Sequence, residues 1–198
     1  MNDLNRWRPF MIAVCATTFC SAGAQAMGYC NADHSTGPIK VQGVVTAAAK
    51  FYEASAHLMK MLEAFEKSDP GSAKNEAITA AGLFHDSATD YVKTKDTFAI
   101  ANWASELDKK TIFAMAGDNS GQAVNAVLQI GSDGPYALME KCAEKAGQLG
   151  KSVNQFAAEA GDHPTTVEFS RLLNSFTETL NFGTAVSAVF ASTKLEKK

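Results

Sequence analysis

The 198-residue sequence is poor in proline, in basic charge and in long apolar runs, and each shortage excludes a class of protein. With 14 glycines and 5 prolines, it has the composition of neither a collagen nor a low-complexity chain. Its 18 basic side chains are outnumbered by 21 acidic ones, so it lacks the dense basic surface that nucleic-acid binding requires. No apolar stretch approaches the roughly 20 residues that a transmembrane helix needs. We therefore expect no membrane span and no binding of nucleic acid.

Residues 1–26 have the pattern of a secretory signal peptide. A basic N-terminal region with two arginines precedes an apolar run of about eleven residues from Phe10 to Cys20. Ala24-Gln25-Ala26 is a cleavage site of the small-x-small type. Because this run is too short to cross a hydrocarbon core of about 30 Å, it predicts export rather than anchoring. We expect cleavage after Ala26 and a mature protein in the periplasm or the secreted space.

Cysteine is scarce once the signal peptide is set aside. Cys15 and Cys20 leave with it, so only Cys30 and Cys142 remain. Two cysteines in an oxidising compartment predict one disulfide bond. The alternative is two unpaired thiols, one of them buried as a small apolar side chain. Residues 27–38, which contain Cys30, lack apolar periodicity and predict an extended N-terminal arm, which the disulfide would hold over one end of the domain.

Apolar residues at spacings of three and four predict that residues 39–198 form a single all-α domain. Three long apolar stripes frame it. The first ends at Asp69-Pro70-Gly71, the second follows the break at 131–135, and the third begins at the capping pair Thr165 and Glu168. At 1.5 Å per residue each stripe corresponds to a helix of roughly 40 Å. Matched lengths and wide apolar faces favour an antiparallel helix bundle.

Shorter helices are predicted between the first and second long ones, where they complete a fourth position of the bundle or form an appendage. One of them is expected to begin at a cap on Asp96 and to carry Ile100, Trp103 and Leu107 on its apolar side. This middle segment is the least regular part of the domain. Phe98 and Trp103 are therefore its candidates for an exposed partner-binding surface, with ordinary core packing as the alternative.

Motifs for metal binding and catalysis are missing from the sequence. It contains no Glu-x-x-His pair, no Cys-x-x-Cys-His haem attachment site, no paired zinc ligands, no Gly-x-Ser-x-Gly elbow and no phosphate loop. Glu53 and His57 have the i,i+4 spacing of an acid–base dyad, but a solvated helix pair has the same spacing. We expect neither enzymatic activity nor a resident cofactor.

Binding of haem or another hydrophobic small molecule between the helices is the main alternative function, because one His and one Met on facing helices suffice to hold a haem iron. The candidates are His57, His85, Met59 and Met61. We expect the two histidines on solvated helix faces and the methionines in the core.

The sequence as a whole favours an exported, non-enzymatic helix bundle that binds a protein partner in the cell envelope or outside the cell. A signal peptide, long framing helices and a small middle segment give a layout similar to that of minor pilus subunits of type IV secretion systems. The resemblance is one of layout, without a shared motif. It implies a place in an envelope or secretion assembly.

Overall fold

The computed structural model describes residues 42–117, 120–159 and 164–198. The predicted all-α helix bundle is confirmed, with one small sheet added to it. In chain order, the elements of the described residues are α1 (Gln42–Glu66), α2 (Pro70–Lys95), a 3-10 turn (Asp96–Phe98), β1 (Ala101–Trp103), α3 (Lys109–Ala116), α4 (Gly121–Gly131), α5 (Pro135–Glu159), α6 (Thr166–Ser192) and β2 (Leu195–Lys197). The predicted signal peptide, the predicted arm and Cys30 lie outside the described residues.

Four helices, not three, are long. The predicted framing helices α1, α5 and α6 have 25, 25 and 27 residues, and α2 has 26 although we expected a shorter helix there. The start of α2 is fixed by the Asp69 side chain, which accepts the Ser72 N–H at 3.0 Å, and by Pro70 in the first turn. The start of α6 is the predicted capping box of Thr165 and Glu168. α2 thus occupies the fourth position of the bundle.

Successive long helices run antiparallel. Lys95 at the end of α2 donates to Glu140 near the start of α5 at 3.1 Å. Phe156 near the end of α5 packs on Phe169 near the start of α6, with ring centroids 5.9 Å apart. Since α1 is also antiparallel to α2, α1 and α5 point the same way and begin at the same end of the bundle.

Small residues bring α1, α2 and α5 close together. The Ser87 hydroxyl donates to the Ala47 carbonyl across α1 and α2 at 2.8 Å, and a Cβ on Gly150 of α5 would lie only 3.1 Å from the Ala81 carbonyl oxygen of α2. α6 instead contributes large buried rings, among them Phe176. Its backbone approaches that of α1 far less closely, and this spacing leaves a cleft between the two helices.

The prediction of a helix from Asp96 through Leu107 is wrong. The chain straightens into β1, in which Ala101 pairs with Lys197 of β2, and α3 begins only at Lys109. On a helix of 3.6 residues per turn, positions 98 and 103 would lie about 140° apart and could not share a face. The 3-10 turn and the strand instead bury both Phe98 and Trp103. The partner strand follows α6, so local periodicity could not reveal it.

Two apolar clusters form the core. The first lies among the four long helices, and the second joins α3, α4 and the sheet to the last turns of α6 and the start of α5. None of the helices in the described part of the chain is both long enough and apolar enough to cross a membrane.

Candidate functional site

A narrow cleft lies between α1 and α6, in the half of the bundle where α1 and α5 begin. We call it the Cys142 cleft. Its volume is about 40 Å³, which corresponds to a few water molecules, since a site of roughly 10–15 Å³ holds one. Small-molecule pockets are usually about 300–1,000 Å³, so a haem does not fit the cleft as it stands. Its lining includes Tyr52, Tyr91, Cys142, Lys145, Phe182 and Gly183.

Cys142 sits two turns into α5 and is only 7% exposed. Burial raises the pKa of its thiol to about 12, although nearby Lys145 acts in the opposite direction. The thiol is therefore protonated at neutral pH and is not an activated nucleophile. Its predicted disulfide partner, Cys30, lies outside the described residues, so that bond stays a prediction.

Four hydroxyl groups also line the cleft, those of Tyr52, Tyr91, Thr179 and Ser187. Burial raises the pKa of Tyr52 to about 12 and that of Tyr91 well above its usual value. The Thr179 hydroxyl donates to the Ser175 carbonyl at 2.8 Å, and the Ser187 hydroxyl donates to the Gly183 carbonyl at 2.9 Å. These α6 hydroxyls therefore bond to their own helix. The cleft has the character of a packing surface rather than that of a reaction centre.

One cation lies at the cleft. The Nζ of Lys145 is 5.2 Å from the centroid of the Phe182 ring, a cation–π contact. The lining that the structure describes holds no other charged side chain. An acidic group that approached the cleft would therefore meet the positive charge of Lys145.

Gly183 widens the cleft from the side of α6. It lies in the helix interior, where glycine costs about 1 kcal/mol relative to alanine. Beyond its own helix, a Cβ at this position would meet no heavy atom of the described residues within 4 Å. No contact in the described structure therefore requires a glycine there.

A second groove, between the end of α5 and the start of α6, has a volume of about 90 Å³ and is lined partly by Gln155, Glu159, Glu168 and Arg171. Gln155 donates to Glu159 at 2.8 Å. Hydrogen bonds from the side chain and backbone of Thr165 lower the pKa of Glu168. The Glu168 carboxylate is therefore engaged in capping α6. Both carboxylates of the described groove lining thus already accept hydrogen bonds, Glu159 from Gln155 and Glu168 from Thr165.

The outward face of α2 carries a stripe that contains no Asp, Glu, Lys or Arg. Ile78, Gly82, His85, Thr89 and Val92 follow one another at spacings of four and three, which places them on one line along the helix. Ile78 and Val92 are 52% and 48% exposed, and a Cβ on Gly82 would meet no neighbour within 4 Å among the described residues. We call this line the α2 stripe.

The residues proposed for haem do not converge. His57 is half-buried. Its Nδ1 lies 2.6 Å from a carboxylate oxygen of Glu76 on α2, so His57 pairs across helices rather than with Glu53. His85 is exposed, Met61 is buried, and Met59 packs at the edge of the core. None of the four candidates lines the Cys142 cleft or the second groove.

The described residues also contain no group of three His, Cys, Asp or Glu side chains placed to hold a metal ion.

Phe98 and Trp103, the candidates for a partner surface, are core residues in the structure. Phe98 is fully buried, and Trp103 is 9% exposed and donates its indole N–H to the Gly131 carbonyl at 2.7 Å. The exposed apolar side chain of this segment is instead Ile100, at 51%.

Sequence analysis missed both the Cys142 cleft and the α2 stripe. The signal that could have found them is the pair of glycines at 82 and 183, each inside a long helical pattern where glycine is unfavourable. A scan against protein-family models and searches of curated proteins and of solved structures found no match for this chain.

Proposed function

We propose that this protein is an exported, non-enzymatic helix bundle that binds a protein partner in the cell envelope or the secreted space, as a component of an envelope or secretion assembly. The α2 stripe is the observation that carries the proposal. The partner that fits this stripe is an α-helix laid along α2.

The stripe extends over about 21 Å, since Ile78 and Val92 are 14 residues apart at 1.5 Å per residue. It presents apolar side chains at both ends and a glycine near one of them. Because Gly82 adds no side chain, and no heavy atom of the described residues lies within 4 Å of the position of its missing Cβ, a partner helix can approach the backbone of α2 there. Packed helices come as close as about 8–10 Å between axes, depending on the side chains at the contact.

Charge is arranged around the stripe rather than on it. Lys74, Asp86 and Lys93 flank it, whereas the five residues of the stripe carry no Asp, Glu, Lys or Arg. A contact centre with few charged residues and a polar rim is typical of protein interfaces. These features favour burial of the stripe against a protein partner over its exposure to solvent.

The experiment compares partner capture by the exported protein and by variants of the stripe. Mild crosslinking in envelope extracts, followed by affinity purification, should recover a partner with the wild-type chain. Ile78→Lys combined with Val92→Lys places charge at both ends of the stripe, and Gly82→Trp fills the space above Gly82. We expect both variants to lose the partner while keeping the wild-type circular dichroism spectrum.

Val167→Lys is the matched control, because Val167 is 67% exposed on α6, outside the stripe. It should capture the partner as the wild type does. Capture that survives all stripe changes, or repeated failure to capture any partner with the wild type, would contradict the proposal.

Export is tested separately by the intact mass of protein recovered from the periplasm or the medium. We expect the mass of a chain that begins at Met27. A chain that still carries residues 1–26 would contradict export.

A further inference from the structure

We propose that the second groove, between the end of α5 and the start of α6, binds a small zwitterion: a free α-amino acid with a short aliphatic side chain. The carboxylate of this ligand would meet Arg171 and Ser175. Its ammonium group would meet Glu159 and Glu168, and its side chain would lie on the apolar floor of the groove. The site is independent of the export and of the α2 stripe of the proposed function.

Two hydrogen-bond donors of α6 line the groove without a partner in the described part of the chain. Arg171 and Ser175 are four residues apart, which places them on one side of the helix. Among the described residues, no carboxylate oxygen lies within 4 Å of the Arg171 guanidinium. The Ser175 hydroxyl also makes no hydrogen bond to them, whereas the hydroxyls of Thr179 and Ser187 donate to carbonyls of their own helix. Because a guanidinium binds a carboxylate through two parallel N–H bonds, this side of the groove suits a carboxylate.

Two carboxylates line the other side of the site. Glu159 lies at the end of α5 and Glu168 in the first turn of α6. Gln155 donates to the Oε1 of Glu159, and both bonds from Thr165 reach the Oε2 of Glu168. The second oxygen of each carboxylate accepts no hydrogen bond from the described residues. These two oxygens can therefore accept N–H bonds from an ammonium group.

The positive and negative charges are ordered along α6. Glu168 precedes Arg171 by three residues and Ser175 by seven, or about 4.5 and 10 Å along the axis at 1.5 Å per residue. Hydrogen bonds from Thr165 and, to a smaller extent, the charge of Arg171 lower the pKa of Glu168, so both groups are charged at neutral pH. A ligand with a single charge would be attracted by one group and repelled by the other. A molecule whose ammonium and carboxylate groups are a few atoms apart is attracted by both.

The floor of the groove is apolar, and its size limits the ligand. Phe156 and Leu172 form this floor and are 6% and 5% exposed. The volume of the groove is about 90 Å³, less than the roughly 150 Å³ of a cavity that holds one benzene. There is room for an aliphatic side chain of a few carbon atoms, with the charged groups of the ligand at the rim. L-Valine has this chemistry and serves as the probe.

The first test compares L-valine with two analogues that each lack one of its charged groups. Isovalerate lacks the ammonium group and isobutylamine lacks the carboxylate, while both keep the branched side chain. Titrations of the intact protein followed by NMR chemical shifts should show saturable binding of L-valine. Each analogue should bind about tenfold more weakly or worse, because it loses hydrogen bonds to a charged group. No saturable shift with millimolar L-valine, or equal binding of all three compounds, would overturn the inference.

The second test assigns each charge of the ligand to its side of the groove. Arg171→Gln should weaken the binding of L-valine and isovalerate about tenfold or more, and should leave isobutylamine bound no more weakly. Glu159→Gln should weaken the binding of L-valine and isobutylamine and leave isovalerate bound no more weakly. The matched control is Lys151→Gln, which removes a charge from an exposed position of α5 outside the groove lining. It should bind all three compounds as the wild type does.

The location of the site has its own refutation. L-Valine binding that Arg171→Gln leaves unchanged, or that Lys151→Gln weakens to the same extent, would overturn the inference. Ile78→Lys combined with Val92→Lys, which alters the α2 stripe, should not change L-valine binding, and a loss of binding in that variant would also overturn it. Circular dichroism should show the wild-type helix content in every variant that is compared.

Discussion

Gly150 provides the sharpest check on how the bundle is packed. A Cβ at this position would lie 3.1 Å from the Ala81 carbonyl oxygen, 3.3 Å from the Phe84 Cβ and 3.5 Å from the His85 nitrogen. Two of these neighbours are backbone atoms of α2, which cannot move aside without shifting the helix. Alanine at 150 therefore gains helix propensity and loses packing.

The magnitude follows from two opposing effects. Replacing a helix-interior glycine by alanine stabilises by about 1 kcal/mol. Forcing extra volume into a packed interface costs about 1–3 kcal/mol. We expect Gly150→Ala to be neutral or to lower the free energy of unfolding by up to about 2 kcal/mol. For a chain of this size, 1 kcal/mol corresponds to a shift of about 2–4 °C in Tm.

Two other glycines serve as controls. The new methyl group of Gly82→Ala would meet no heavy atom within 4 Å in the described part of the chain, and this variant should be more stable by about 1 kcal/mol. Gly147→Ala would bring its Cβ to 3.7 Å from the Ala88 Cβ, an ordinary contact, and should stabilise to a similar extent. Urea unfolding followed by circular dichroism gives the three free energies. If Gly150→Ala stabilises as much as Gly82→Ala does, α5 does not lie as close to α2 as described.

Two further predictions concern single side chains. Trp103→Phe keeps an aromatic ring but removes the indole N–H that the Gly131 carbonyl accepts at 2.7 Å. That carbonyl still accepts the Gly134 N–H at 3.0 Å, so loss of the bond should cost about 1 kcal/mol in urea unfolding; an unchanged stability would mean that the bond contributes nothing. Tyr52 has a folded-state pKa raised to about 12, above its unfolded value, so its contribution is complete below the unfolded pKa and is lost as pH rises toward 12. Tyr52→Phe should flatten this alkaline loss of stability, and a wild-type stability that stays constant from pH 9 to 12 would refute the pKa shift.

Local sequence was sufficient for the long helices. Spacings of three and four, the Asp69-Pro70-Gly71 break and the Thr165–Glu168 capping box act within a few residues, so α1, α5 and α6 could be predicted without tertiary information. The length of α2 is harder to predict from the sequence, because its core face is largely alanine, which allows close helix contact but gives a weak apolar pattern. Whether Cys30 pairs with Cys142, and whether the chain is exported, stay predictions from sequence.

Only the tertiary structure decided where the two candidate surfaces lie. A glycine in a helix has the same sequence signal whether it fits tightly, as Gly150 does, or has no described neighbour within 4 Å of its missing Cβ, as Gly82 and Gly183 do. The burial of Trp103 depends on a strand that forms more than 90 residues later, after α6. Sequence specified which residues form helices because that choice is local. Which faces meet, and which gaps stay open, depends on side-chain volumes contributed by segments far apart in the chain.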